Sequence, residues 1–186
     1  VAAQSGLRDF AMMLVFLGAG LRVSEVTHLA CKDIRQDGDG GAYIHVRAGK
    51  GRKDRLVPVE ETVVTGVQTY LAAFKRKMGT NEPLFLAEDS RASQRDIAPM
   101  STRSCDRNLK RLCREASVAK RISPHSLRHA YALACLRFSK DLFSVSKLLG
   151  HASVATTQTY VNHINILDMR SVVPGFLVGL DRETPA

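Results

Sequence analysis

Apolar residues repeat at helical spacing over most of the chain. Between Leu7 and Gly18 the positions Phe10, Leu14 and Leu17 fall on one side, with Ala11 and Val15 beside them. This predicts a buried helix whose early Asp9 suits the positive end of the helix dipole. Gly18 and Gly20 punctuate its end, and a short helix from Val23 to Ala30 follows, with Val26 and Leu29 as its apolar side. The period then shortens. Asp37 to Gly41 reads as a turn, and Tyr43 with Val46, then Val57 with Val59, mark two extended runs joined through Ala48-Gly-Lys-Gly-Arg52. That pattern predicts a two-stranded hairpin, with Pro58 restricted to an edge or a non-bonded position.

Val63 to Met78 reads as an amphipathic helix through Val63, Val67, Tyr70, Leu71, Phe74 and Met78, closed by the basic run Lys75-Arg-Lys77. Gly79 to Met100 is mostly loop, with one apolar run at Leu84-Phe-Leu86. Helix returns from Ser101 to Ala116 with an inner stripe of Cys105, Leu109, Leu112, Cys113 and Ala116. Ser123 then sets an N-cap and Pro124 the first helical position. The helix they start has Leu127, Tyr131, Ala134, Cys135 and Phe138 as its buried side. Leu142 to Leu149 forms a short helix ended by Gly150, Ser153 to Tyr160 a weaker one, and Ile164 to Val172 a last amphipathic piece before an apolar tail, Phe176 to Leu180. The sum is a mainly α fold of seven or eight helices with a small antiparallel β-sheet, an α+β class.

At 186 residues, with 45% hydrophobic and 24% charged side chains, the chain fits one globular domain and is neither disordered nor fibrous. Its four cysteines (Cys31, Cys105, Cys113 and Cys135) form no CxxC and no metal spacing, which favours a reduced, cytoplasmic setting without zinc. Phe10 to Ala19, the longest strongly apolar stretch, is too short to span a bilayer, so no membrane partner is expected. The sign of the charge changes the picture. The net charge is +9, and Arg95 to Arg128 alone holds nine basic against three acidic side chains. Arg103, Arg107, Lys110, Arg111 and Arg114 share one polar helix face, and Lys50, Arg52, Lys53 and Arg55 gather in the hairpin. Either group reads as a solvated surface or as a phosphate-backbone footprint.

Four places carry candidate chemistry. In Gly20-Leu-Arg22-Val-Ser-Glu25, Arg22 either pairs with Glu25 in a structural bridge or points at a phosphate while Glu25 holds it. Lys50, at a glycine-flanked turn, is either solvated or a mobile proton donor. In Pro124-His125-Ser-Leu-Arg128 the spacing of three puts His125 and Arg128 on one helix side, and His129 faces elsewhere as a packing residue. Leu149-Gly-His151 is followed nine residues later by Tyr160, a half-buried aromatic or a nucleophile. No HxxH, HExxH or acidic cluster accompanies them, so neither a metal nor any other cofactor is expected. Arginines, lysine, histidines and a tyrosine suit a phosphodiester. The arginines can neutralise growing charge on the nonbridging oxygens, the tyrosine can attack, and lysine or histidine can protonate the leaving oxygen.

Taken together, Gly20 to Glu25, Gly49 to Pro58, Pro124 to His129, Leu149 to His151 and Thr156-Thr-Gln-Thr-Tyr160 resemble the catalytic domain of the tyrosine recombinases, the phage integrase family. The style is that of bacterial chromosome-dimer resolvases and mobile-element integrases. The likeness runs from about Leu7 to His163. It implies the tyrosine recombinase catalytic-domain fold over residues 1–186, as the C-terminal domain of a longer recombinase without its N-terminal core-binding domain. It also implies site-specific recombination of double-stranded DNA by four protomers on two duplexes, in a nucleoid-associated setting. Arg22 and Arg128 would clamp the scissile phosphate, Tyr160 would attack it, and Lys50 would protonate the leaving 5′ oxygen. His125 would assist proton movement, His151 would hydrogen-bond a phosphate oxygen, and Glu25 would orient the arginines from behind. Residues 164–186 would pass into a neighbouring protomer or fold back on their own domain. Two other functions fit less of the pattern: nicking and religation in the manner of type IB topoisomerases, and DNA binding without catalysis.

Overall fold

The computed structural model describes residues 2–36, 38–47, 53–87, 98–151, 153 and 155–157, with side chains from residue 6 onward. Helices α1 (Ala2–Ala19) and α2 (Val23–Thr27) are followed by a 3₁₀ turn at Cys31–Asp33. Strands β1 (Ile34–Gln36), β2 (Ala42–Val46) and β3 (Arg55–Val59) come next, and then helices α3 (Glu61–Ala73), α4 (Thr102–Glu115), α5 (Pro124–Ser139) and α6 (Leu142–Leu149). The mainly α class with one small antiparallel sheet is as expected. The sheet has three strands rather than two, in the order β1-β2-β3. At three residues, β1 is too short to display a period of its own. Ile34, Ile44 and Val57 stand in one cross-strand row and are all buried, so one sheet face packs on the core. Pro58 lies on the edge strand with its side chain exposed, as its missing N–H requires.

Three helices bury a different side from the one their apolar spacing suggests. On α1, Phe10 and Leu17 are 57% and 50% exposed, while Met12, Val15, Phe16 and Ala19 are fully buried. Apolar nearly all round, α1 offers two candidate stripes, and its charged residues choose between them. Arg8 and Asp9 are themselves buried, and Asp9 binds Arg8 at 3.0 Å and also Arg111 of α4, with Asn108 against the pair. Asp9 therefore sits mid-helix as an interhelical clasp and does not serve as a first-turn charge. In the same way Asn108, not Ala116, completes the buried side of α4. On α5, Phe138 is 92% exposed and Ala134 is also exposed. Arg128, Ala132 and Leu136, four residues apart, form its inner edge, the last two packing on Val145 and Leu149 of α6. A buried arginine has turned the helix.

Two helix ends come early. α2 stops at Thr27 because Ala30 leaves to bridge Pro83. α3 stops at Ala73 because Lys75 takes a left-handed φ of 54° and Arg76 folds back onto Glu82 and the Leu84 carbonyl, each at 3.0 Å. The basic run is thus not in the last turn. The N-caps of α4 and α5 are the serines that start them: Ser101 accepts from the Ser104 N–H and Ser123 from the Ser126 N–H. Of the expected helix from Ser153 to Tyr160, residues 155–157 are helical. The remainder of it, the Ile164 helix and the apolar tail lie outside the described residues. All four cysteines are free thiols.

Candidate active site

The end of α1 turns into α2 at Gly20, whose φ is +58° and whose Cα faces the Tyr131 ring so closely that a Cβ would meet it at 2.2 Å. This turn delivers Arg22 as the N-cap of α2, with Glu25 in the first helical turn. Glu25 reaches back to accept the Arg22 backbone N–H at 2.8 Å, half of a capping box. The same carboxylate accepts from the Arg22 guanidinium at 3.0 Å and takes both ends of the Arg55 fork, Nη1 at 2.9 Å and Nη2 at 2.8 Å. Arg128 Nη1 stands 3.8 Å from it. Three guanidinium groups thus surround one carboxylate. Burial pushes the Glu25 pKa up, but the Arg55 hydrogen bond, the Arg22 N–H and both arginine charges outweigh it and hold the pKa at about 2.

The opposite side of the cluster is the C-terminal end of α6. Arg55 Nε donates to the Leu148 carbonyl at 2.9 Å, Arg128 Nη2 to Leu149 at 2.7 Å and Arg22 Nη2 to Gly150 at 3.3 Å. Arg128 Nη1 also holds the Gly20 carbonyl at 2.7 Å. Unpaired carbonyls at a helix end carry partial negative charge, so three consecutive ones make a natural seat for cations. Gly150 closes α6 in the left-handed conformation at φ 64°, and a Cβ there would strike the Arg55 guanidinium. The chain then delivers His151, whose Nδ1 meets the Thr157 hydroxyl at 2.7 Å. Burial, followed by the charges of Arg128, Arg22 and Arg55, lowers the His151 pKa to about 4, so its ring is neutral at pH 7.

Arg22, Glu25, Arg128 and His151 therefore meet at one place, although they come from α2, α5 and the segment after α6. The Arg22 side chain is 30% exposed and the Arg128 side chain 4%, so Arg22 is the guanidinium turned toward solvent. His125 is exposed in the first turn of α5. Lys50, Arg52 and Tyr160 lie outside the described residues. Lys53 is exposed, as are Arg103, Arg107, Lys110 and Arg114 on α4. Lys110 pairs with Asp106, and Arg111 is divided between Glu115 and the buried Asp9, which gives it an internal duty. Among the described residues no three His, Cys, Asp or Glu side chains gather to hold a metal, and no helix is long and apolar enough to cross a membrane.

Arg55 is the member that motif reasoning passed over. Grouped with the hairpin lysines, it looks like surface charge. Its phase says otherwise: Arg55, Val57 and Val59 alternate along β3, so all three share the sheet face turned to the core.

Residues 2–165 match the model of the phage integrase family. The chain belongs to that family. A curated integrase-family relative, tyrosine recombinase XerC of Pelobacter propionicus, is 40% identical over 163 residues, covering 87% of this chain and 49% of its own. Tyrosine recombinase XerA of Pyrococcus furiosus is 34% identical over 160 residues, 86% of this chain and 52% of that protein. A crystal structure of XerA recombinase superposes with a TM-score of 0.74 at 33% identity, covering 92% of this chain and 57% of that one. XerH recombinase bound to a palindromic difH substrate, in a post-cleavage complex, shares the fold with a TM-score of 0.75 at 21% identity. This integrase-family chain spans about half the length of the curated relatives it matches.

Proposed function

We propose that the chain is the catalytic domain of a tyrosine site-specific recombinase that cuts and rejoins double-stranded DNA through a 3′-phosphotyrosyl link. The observation that supports this most directly is the meeting of Arg22, Arg128 and neutral His151 around Glu25, from segments more than a hundred residues apart. In the reaction the Tyr160 oxygen bonds to the scissile phosphorus and the bond to the 5′ oxygen breaks. Lys50 supplies the proton that the leaving oxygen takes up. The two arginines face the nonbridging oxygens, whose charge grows as the phosphorus becomes five-coordinate. His151, neutral and hydrogen-bonded to the Thr157 hydroxyl through Nδ1, hydrogen-bonds one of those oxygens. His125, exposed at the start of α5, serves proton movement at the tyrosine. Rejoining reverses the steps with the 5′ hydroxyl of a partner strand, so the energy of the broken bond is kept in the enzyme link.

Four protomers on two duplexes, with residues 164–186 exchanged between neighbours, complete this reading, as does a longer parent that contributes an N-terminal DNA clamp. The relatives' names as tyrosine recombinases support the reaction class, and the exposed basic side of α4 supports a DNA partner. The test is a nicked suicide duplex labelled on the fragment upstream of the scissile phosphate, which the protein would hold through its 3′ phosphate. The chain is expected to form a covalent adduct on a denaturing gel, and Y160F to bind without forming one. Efficient trapping by Y160F overturns the nucleophile assignment. Supercoil relaxation without recombinant product moves the function to a topoisomerase.

A further inference from the structure

Arg55 differs from its two arginine neighbours in how it is used. Its fork is spent on both oxygens of Glu25 and its Nε on the Leu148 carbonyl, and the side chain is largely buried. Arg22 gives Glu25 one nitrogen, gives the Gly150 carbonyl the other, and stays partly open to solvent. Arg128 stands farther from the carboxylate and holds two backbone carbonyls. Glu25 can therefore orient Arg22 without capturing it, because another cation already satisfies most of the carboxylate.

Resting on the recombinase reading above, we infer that Arg55 is a positioning residue for the phosphodiester chemistry. It saturates Glu25 and ties β3 to the end of α6, so that Arg22, the guanidinium turned toward solvent, remains available to the phosphate. Without it, Glu25 is a largely buried carboxylate short of two donors. The nearest replacement with freedom to move is the guanidinium of Arg22, and drawing it inward removes positive charge from the reacting phosphorus. Arg55 itself touches no phosphate.

The discriminating experiment uses the 186-residue chain at saturating concentration on two suicide duplexes. One carries the ordinary scissile phosphate; the other carries a neutral methylphosphonate there, which has little need of cationic oxygen stabilisation. R55A is expected to slow single-turnover adduct formation by about a hundredfold on the phosphate, with duplex affinity within about threefold of wild type. On the methylphosphonate the penalty is expected to fall below about tenfold. R55K keeps the charge but not the fork, protects the fold, and is expected to show the same dependence on substrate. Equal penalties on the two duplexes mark Arg55 as merely structural and overturn the inference. A phosphate rate within threefold of wild type does so too. A wild-type chain that forms no adduct overturns the recombinase reading first, and this inference with it.

Discussion

Replacing Glu25 with Gln removes one negative charge from beneath three guanidinium groups and leaves the side chain's shape nearly intact. The size of the effect follows from the carboxylate's own titration. Its pKa falls from 4.5 to about 2 on folding, and at about 1.4 kcal/mol per pKa unit the charged form stabilises the fold by about 3 kcal/mol at neutral pH. Because the folded pKa is the lower one, this stability is complete above about pH 5. It drains away as pH falls toward 2, where the native carboxyl takes up its proton. Urea unfolding of wild type and E25Q at a series of pH values reads this directly. The variant is expected to be less stable by about 3 kcal/mol at pH 7, with the two curves converging between pH 5 and pH 2. An E25Q protein as stable as wild type at pH 7, or a gap that stays constant down to pH 3, would refute the account of Glu25 as the anion that holds the arginines together.

Gly20→Ala places a Cβ against the Tyr131 ring at a positive φ and should lower stability by roughly 1–3 kcal/mol in thermal unfolding. Asp9→Ala removes the carboxylate shared by the buried Arg8 and by Arg111, for an expected loss of roughly 3–5 kcal/mol by urea unfolding. By NMR, the His151 ring should titrate near pH 4 and not near 6.5; since burial disfavours the protonated form, its contribution to stability shrinks as pH drops from 6.5 toward 4. Neutralising Arg103, Arg107 and Arg114 together should weaken DNA binding and reduce the slope of log K against log salt by up to about 2.7, while a slope equal to that of wild type would remove α4 from the DNA interface.

Much of the cluster is legible in the sequence because its groups are concentrated in short motifs: Arg22 with Glu25, Arg128 near the start of α5, and His151 after a glycine; His125, three residues before Arg128, is exposed and not brought to it. Helix starts at Ser101 and Ser123 are equally legible, since a cap is a local device whose partner lies three residues on. What escapes is whatever two distant segments decide jointly. Asp9 looks like a first-turn charge until Arg111 on α4 pulls it inside. Phe138 looks like core until the burial of Arg128 turns α5 away from it. Arg55 is hidden by its company, a run of lysines and arginines in which only its alternation with Val57 and Val59 marks it as inward. A helix that is apolar on most sides, such as α1, has no preferred face until its neighbours supply one.

The three carbonyls at the end of α6 have one more consequence. Each is taken by a different arginine, and the same turn launches His151 and the stretch that leads to Tyr160. One turn of backbone thus touches every guanidinium of the cluster, so a change in the last turn of α6 would reach all three arginines together, while Glu25 and the Gly20 carbonyl still hold them from the other side.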